Sequence, residues 1–402
     1  MTINRQRVRE EEWKDWKWQQ RNAVKDVRQV SDHFTKIDRT FFNDLYEKSK
    51  GLKFQVTPYM LSQIPPDISL EELQRNPWFL QFFPIGDVYR EGPDAYNGTE
   101  NWDMPEEFPT SNIQHKYTNR ALLRFRNCLA YCNFCFEALG TLEKDPKPEK
   151  IFKWGDWEKS LDYLASRPEI EEVVLSGGEP LLLPDSKLEQ VLRDISEIRN
   201  SDGKPKIRFK RIHTRVLSHN PYRITDKLVE VLKEYRVNEM AFHIAHSSEI
   251  TPDFKEAVYR IREGAGRYAP ILATHTPLLG NINANAETLW ELFGQLYELN
   301  VKPYYLIHTF PHTPFANQQR MSVRDGARLM KQLKRHKSNI VIPEYIVAHY
   351  NGKVTVPLEL DGTPEFQYTK DGHGNPVVKF LNWKGKWVEY PDVKDALAPH
   401  PV

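Results

Sequence analysis

Residues 121–135, Ala121-Leu122-Leu123-Arg124-Phe125-Arg126-Asn127-Cys128-Leu129-Ala130-Tyr131-Cys132-Asn133-Phe134-Cys135, pass from a short apolar strand pattern straight into a loop that holds all three cysteines of the 402-residue chain. Three thiolates in so short a window suit an iron–sulfur cubane. They ligate three irons and leave the fourth with an open coordination position for a group that is not protein. That open iron is a place for chemistry. Two other readings of the same residues stand beside it. Free cysteine is often a small buried hydrophobe. Zinc also takes thiolates, although a closed structural site needs a fourth ligand, for which His115 is the nearby candidate. A disulfide is disfavoured, because an odd count at close spacing belongs to metal chemistry in a reducing compartment.

Outward from that loop, short apolar runs alternate with helical periods. The runs at 121–126, 172–176, 207–212, 240–245, 271–274 and 304–308 read as strands, with a further one at 340–347. Between them Leu188, Val191, Leu192, Ile195 and Ile198, then Leu228, Val231 and Leu232, then Leu289, Leu292, Phe293 and Leu296 fall at helical spacing. Alternating strand and helix implies a parallel sheet, and six such units in succession point to an α/β fold, a partial (β/α)6 TIM-like barrel. Barrels of this kind carry reactive groups on the loops after strands, which is where the cysteine window lies. Three regions are expected: 1–113, helical and irregular, rich in Trp, Pro and charge; 114–350, the barrel; and 351–402, a small β-rich extension. The last is broken by the turn-forming runs Lys370-Asp371-Gly372-His373-Gly374-Asn375 and Trp383-Lys384-Gly385-Lys386-Trp387. In the first, 13–22 reads as a helix whose aromatics suit packing on another domain or subunit. The stretch 77–109 reads as an irregular crossing segment.

Hydrophobic residues at 40% and aromatics at 12% are enough to build a sizeable core. Basic and acidic residues balance at 56 and 55, a net charge of +1. Such a balance leaves no electrostatic footprint for nucleic acid or an anionic membrane and points to a small-molecule substrate. No apolar run nears the roughly 20 residues that span a bilayer, and the N-terminus opens polar and charged without an apolar signal core. A cytoplasmic location is expected.

The Cys-x3-Cys-x2-Cys spacing, with Phe134 before the last thiolate, resembles the signature of the radical S-adenosylmethionine (SAM) superfamily. Ser176-Gly177-Gly178-Glu179-Pro180, at the end of the second strand, is similar to that superfamily's Gly-Gly-Glu-Pro segment. Glycines there let a backbone approach a ligand closely, whereas a lone Gly-Gly is an ordinary strand-to-helix turn. The resemblance implies a [4Fe–4S] cluster on Cys128, Cys132 and Cys135, with SAM chelating the open iron and cleaved reductively to a 5′-deoxyadenosyl radical. It implies that Phe134 packs near the adenine and that Gly177, Gly178 and Glu179 receive the methionyl amine. A low-potential electron donor such as flavodoxin or ferredoxin is implied as well.

Within the superfamily the chain resembles the lysine 2,3-aminomutases over most of its length. The matching segments are Asp15-Trp16-Lys17-Trp18-Gln19, Val56-Thr57-Pro58-Tyr59, His115-Lys116-Tyr117-Thr118-Asn119-Arg120, Arg211-Ile212-His213-Thr214-Arg215, His243-Ile244-Ala245-His246 with Glu249-Ile250-Thr251, and Pro277-Leu278-Leu279-Gly280 before Asn283. The likeness implies that Lys116, Tyr117 and Arg120 contact pyridoxal 5′-phosphate (PLP), Lys116 and Arg120 on its phosphate, and that His243 and His275 contact SAM. Taken singly, each of these histidines also reads as a hydrogen-bonded structural residue. Those enzymes hold PLP as a Schiff base on a lysine that follows a glycine-rich run. Lys353, in Val347-Ala348-His349-Tyr350-Asn351-Gly352-Lys353-Val354-Thr355-Val356, falls at that place, with only Gly352 left of the run and a loop about two residues shorter.

The substrate positions depart further. Where lysine-acting relatives carry an arginine for the substrate carboxylate, this chain has Glu137; where two aspartates receive the lysine ammonium, it has Phe310 and Ala348. An ammonium buried without a carboxylate is costly, which argues against free lysine as substrate. Arg124, Arg126, His308 and His312 are placed near the barrel mouth without an assigned role. Three outcomes stay open. One is a PLP-assisted 1,2-amino shift on another amino-acid-like substrate. The second is the same radical initiation without PLP, ending in dehydrogenation, epimerisation or another rearrangement, with Lys353 a solvated lysine in an Asn-Gly turn. The third is a non-catalytic metal-binding scaffold. By analogy, the Trp-rich first region is a candidate surface for a homo-oligomer.

Overall fold

From residue 113 onward the apolar runs form one sheet of nine strands: β1 (Ile113–Tyr117), β2 (Arg120–Phe125), β3 (Glu172–Gly177), β4 (Phe209–Thr214), β5 (Glu239–His243), β6 (Ile271–Leu278), β7 (Lys302–His308), β8 (Glu344–His349) and β9 (Gly352–Thr355). The structure is a computed structural model that describes residues 8–49, 52–86, 104–137, 152–349, 352–357, 366–381 and 385–391. Strand order follows chain order. β2 to β8 are all parallel, while β1 and β9 pair antiparallel at the two edges. Parallel neighbours need a crossover, supplied by α1 (Trp157–Ser166), α2 (Asp185–Glu197), α3 (Asp226–Glu234), α4 (Pro252–Ala265), α5 (Ala286–Glu298) and α6 (Val323–His336). Four of these start on a side-chain cap, Thr225, Thr251, Asn285 and Ser322 accepting a backbone N–H three residues on; such a cap contributes about 1 kcal/mol.

The sheet wraps until its edges meet. The Tyr117 hydroxyl of β1 is hydrogen-bonded by the backbone of Lys353 in β9, so the expected partial barrel is nearly closed. Alternation along each strand then sorts the side chains. Leu123, Phe125, Val173, Leu175, Ile212, Met240 and Phe242 point outward into a buried core with Leu188, Val191, Leu192, Leu228, Phe254, Leu289 and Leu292 of the helices. Leu122, Ser176, His213, His243 and His275 face the interior instead. Below them the interior carries charge: Arg211 bridges Glu172 at 3.0 Å and Glu239 at 2.7 Å.

The seven parallel strands overlap the expected runs with shifts of a few residues. The strand expected at 207–212 runs from Phe209 to Thr214, and that at 340–347 from Glu344 to His349. β1 was not expected as a strand, because an edge that reads Ile-Gln-His-Lys-Tyr has too few apolar positions to announce one. A separate antiparallel sheet joins β10 (Phe366–Lys370), β11 (Pro376–Leu381) and β12 (Trp387–Pro391). Its first turn is closed by Asp371, which accepts from the backbone of His373 and Asn375 at 2.8 Å each.

The N-terminal helices form a second core, with Phe34, Phe42, Tyr59, Trp78, Phe79 and Phe83, that also takes in Ala130 of the cysteine loop. Trp13 and Trp16 pack within the chain: the Trp13 indole donates to Tyr222 at 3.0 Å, and the Arg223 guanidinium stands 4.6 Å over the Trp16 ring. The irregular segment expected from 77 begins as a helix, Pro77–Phe82. Proline is tolerated in a first turn, and Asn76 caps it by accepting from Trp78 and Phe79 at 2.9 and 3.2 Å. Among the described residues no helix is long and apolar enough to cross a membrane.

Replacing Arg211 by Ala leaves Glu172 and Glu239 facing each other without their cation, so urea unfolding should show a loss of about 3–5 kcal/mol. A loss below about 1 kcal/mol, the range of exposed pairs, would show that this ion network does not hold the barrel interior together.

Candidate active site

Cys128, Cys132 and Cys135 leave the C-terminal end of β2 on a loop moulded from two sides. From the N-terminal region, Gln55 Nε2 donates to the Leu129 carbonyl at 2.9 Å. Asn133 donates Nδ2 to the carbonyls of Leu80 and Phe83 at 2.9 and 2.6 Å and its backbone N–H to that of Gln81 at 2.8 Å. From the barrel side, the end of β3 presses against the loop backbone. A Cβ on Gly177, which sits at φ 94°, would lie 2.6 Å from the Phe125 carbonyl, and one on Gly178 would lie 2.5 Å from that of Asn127. Both positions require glycine because chain passes against chain, where the sequence had suggested approach by a ligand.

Glu179 is buried, and its carboxylate accepts from Thr214 Oγ1 at 2.7 Å, from the Arg215 N–H at 2.9 Å and from the Leu181 N–H at 3.0 Å. Burial pushes its carboxyl up against the pull of those bonds. The residue braces the end of β3 to the end of β4 while also lining the cavity. Arg215 is the second brace. Its Nη1 lies 2.8 Å from Cys132 Sγ, its Nη2 2.9 Å from Glu249 and in contact with Gln81, and its Nε 3.0 Å from the His243 carbonyl. Its guanidinium lies 4.7 Å over Phe82 and 4.8 Å over Phe134. Burial opposes that charge, and Cys132 and Glu249 more than restore it. Burial also raises the Cys128 and Cys132 thiols; the neighbouring sulfurs raise Cys128 further, while Arg215 pulls Cys132 back down.

The structure brings most of the expected site residues to one cavity of about 320 Å³. The three cysteines, Phe134, Gly177, Gly178 and Glu179 line it. So do His243, His275, Tyr117 and Lys353, and Glu137, Phe310 and Ala348. Lys116 and Arg120 are not among the lining residues. Lys116 shares the face of Gln114 on β1, and both reach Glu107, at 3.0 and 2.7 Å. Tyr117 lines the cavity. Arg120 packs its guanidinium 5.1 Å over the Tyr117 ring, with its Nε buried and unpartnered.

Lys353 sits in β9 opposite Ala348, with its ammonium 2.8 Å from the Tyr305 hydroxyl and 4.2 Å over that ring. Burial, then Arg120 and Arg211, bring its pKa down to about 8. It is a strand residue that lines the cavity, and its side chain keeps substantial exposure. Glu137 is engaged by Arg124; the two side chains keep only 10% and 2% of their exposure, and Arg124 also lies 4.9 Å over Phe108. Phe310 packs edge-on against Phe136 at 4.6 Å, and His312 Nε2 bonds the Phe136 carbonyl at 2.8 Å. His308 bonds the Tyr345 hydroxyl at 2.8 Å and does not line the cavity.

The zinc alternative with His115 does not survive. That ring spends one nitrogen on Tyr163 at 2.8 Å and the other on the Thr118 carbonyl at 3.1 Å. Among the described residues, the one set of three His, Cys, Asp or Glu ligand atoms lying within 4.8 Å of one another is His213, His243 and His275. The three cysteine sulfurs are not such a set. Sequence reasoning missed His213, Arg215, His219 and Tyr305 as cavity residues. The signal lay in the alternation of Arg211 and His213 on β4, continued by Arg215 one residue beyond the strand.

Residues 122–279 match the radical SAM superfamily. Over 388 residues the chain is 29% identical to the glutamate 2,3-aminomutase of Clostridioides difficile, covering 95% of this chain and 84% of that one. It is 30% identical over 399 residues to a putative L-lysine 2,3-aminomutase of Aquifex aeolicus, covering 95% and 96%. It is 29% identical over 356 residues to the L-lysine 2,3-aminomutase of Methanococcus maripaludis, covering 86% and 76%.

A Gly178→Ala change forces the loop backbone apart, an overpacking cost of about 1–3 kcal/mol that falls on the cysteines. Iron and sulfide per chain after anaerobic reconstitution should drop below wild type. Gly155→Ala, which adds a methyl to open space, should leave both unchanged. Equal loading of the two variants would show that the glycine does not set the loop.

Proposed function

The chain belongs to the radical SAM family of 2,3-aminomutases, and from that membership we propose that it catalyses a PLP-assisted 1,2-amino shift on an amino-acid-like substrate other than free lysine. Membership brings with it a [4Fe–4S] cluster, SAM, a small-molecule substrate and an electron donor. The single observation that carries the PLP assignment is Lys353, an amine with a pKa brought down to about 8 that faces the same cavity as the three cysteines.

When bound, the cluster with SAM supplies the radical that removes hydrogen from an unactivated carbon, and PLP lends electronic stabilisation to the rearranging substrate. The chain's own residues set the stage. Cys128, Cys132 and Cys135 hold the cluster, and Arg215 fixes Cys132 while offsetting thiolate charge. The Tyr305 hydroxyl orients Lys353 Nζ. At neutral pH a part of Lys353 is already the neutral amine, the form that attacks a carbonyl. Arg120 offers an unpartnered Nε to an anionic group. On the substrate side Glu137 is neutralised by Arg124, and Phe310 and Ala348 present apolar surface. A substrate ammonium buried against them would lack a counterion, which supports a substrate other than lysine.

A second reading, radical initiation without PLP, is favoured by one observation: Glu107 already pairs with Lys116 at 3.0 Å, which engages a cation otherwise offered to a phosphate. Protein purified anaerobically with ample vitamin B6 decides between the two. The PLP reading expects a visible absorbance band that is absent in Lys353→Ala, and uptake of PLP by the apoprotein that accelerates as pH rises through about 8, because the neutral amine fraction grows there. No band in the wild type supports the PLP-free enzyme. No 5′-deoxyadenosine from SAM and dithionite supports the scaffold.

A further inference from the structure

Cys128 and Cys132 differ in the sign of what surrounds them. Cys128 has groups of one sign near it, the other two sulfurs with Glu179 and Glu137. Cys132 has a cation in direct contact, Arg215 Nη1 at 2.8 Å from its sulfur, while Glu249 and Glu179 act on it in the opposite sense. His219 is a more distant neighbour of the same sulfur, its Nε2 at 4.0 Å. The close positive charge at Cys132 is therefore that of Arg215.

That guanidinium is held where it stands. The rings of Phe82 and Phe134 pack on it at 4.7 and 4.8 Å, its Nε bonds the His243 carbonyl, and its Nη2 bonds Gln81 and, at 2.9 Å, Glu249. Arg215 keeps only 6% of its side-chain exposure and Glu249 none, so salt and water screen the pair weakly. Arginine stays protonated at any working pH. The charge is thus fixed in place and in sign. One-electron reduction adds a negative charge to an iron–sulfur cluster, and its potential responds to nearby charge and to hydrogen bonds on its sulfurs. A fixed cation on a ligating sulfur favours the reduced form, and a fixed carboxylate behind that cation opposes it.

We propose that Arg215 and Glu249 form an opposed pair that sets the reduction potential of the cluster, the guanidinium raising it through the Cys132 sulfur and the carboxylate behind it lowering it. In the step concerned one electron passes from the low-potential donor to the cluster; the donor is oxidised, the cluster is reduced, and no bond in the chain forms or breaks. Both residues act through Cys132 and are positioning residues. The proposal rests on the cluster that family membership brings and on neither PLP nor the amino shift.

The test is a redox titration of cluster-reconstituted protein with dithionite and mediators, the reduced form counted by electron paramagnetic resonance, with SAM left out so that its binding does not contribute. In Arg215→Gln the reduction equilibrium should shift at least about tenfold toward the oxidised form, about 59 mV lower for one electron. In Glu249→Gln it should shift the other way. Loosened packing alone does not move the two halves of one ion pair in opposite directions. Shifts of the same sign, or no shift in either variant, overturn the proposal. A second measurement needs no variant: in wild-type protein carrying arginine labelled with nitrogen-15 in the guanidinium, pulsed resonance of the reduced cluster should show a nitrogen-15 coupling that unlabelled protein lacks. That coupling, with the upward shift in Glu249→Gln, sustains the proposal even where Arg215→Gln takes up no cluster; its absence overturns it. Wild-type protein with no cluster signal removes the radical SAM reading and this proposal with it, whereas intact clusters with unmoved potentials remove the proposal alone.

Discussion

A single guanidinium, that of Arg215, holds the pieces of this site in one place. It starts from the end of β4 and reaches the sulfur of Cys132, the carboxylate of Glu249 and the amide of Gln81, while its Nε bonds the backbone of His243. A cation so buried costs several kcal/mol unless every one of its bonds is made. The barrel, the cysteine loop and the N-terminal helix that carries Gln81 therefore come together as a unit or not at all. The same logic explains why a helical region precedes the barrel: Asn133 and Gln55 pin the loop to it, and Ala130 is buried in its core. The loop is not a flexible ligand arm.

The parts of the fold that could be read from the chain are those where burial repeats with a clear period. β2 to β8 are apolar on the face that meets the helices, and α2, α3 and α5 carry their stripes at helical spacing. The edges could not be read the same way. β1 is half polar because Gln114 and Lys116 both bond Glu107 while Tyr117 lines the cavity. The Pro77 helix was hidden because proline reads as a break until the cap of Asn76 is seen. Of the site, the thiolates and the Gly-Gly-Glu run stand next to one another in sequence and were legible. His213, Arg215 and Tyr305 matter through which way a strand faces, and one residue of register reverses that.

The wall with Glu137, Phe310 and Ala348 is one part of what the cavity can recognise. Fold does not dictate substrate. The acid at Glu137 lies folded onto Arg124, so neither charge presents itself simply to a ligand. Phe310 packs edge-on against Phe136, and His312 bonds the Phe136 carbonyl, which makes this wall largely apolar. Polar groups of the cavity include Lys353, Tyr305 and the imidazoles of His213, His243 and His275.

The account rests on one iron that the chain leaves without a protein ligand. Electron paramagnetic resonance of the dithionite-reduced, reconstituted protein, recorded with and without SAM, addresses that iron directly. The account predicts a reduced [4Fe–4S] signal whose g-values shift when SAM is added, as direct coordination of the cofactor demands. A cluster signal that SAM leaves unmoved, or reconstituted protein with no cluster signal at all, would contradict it.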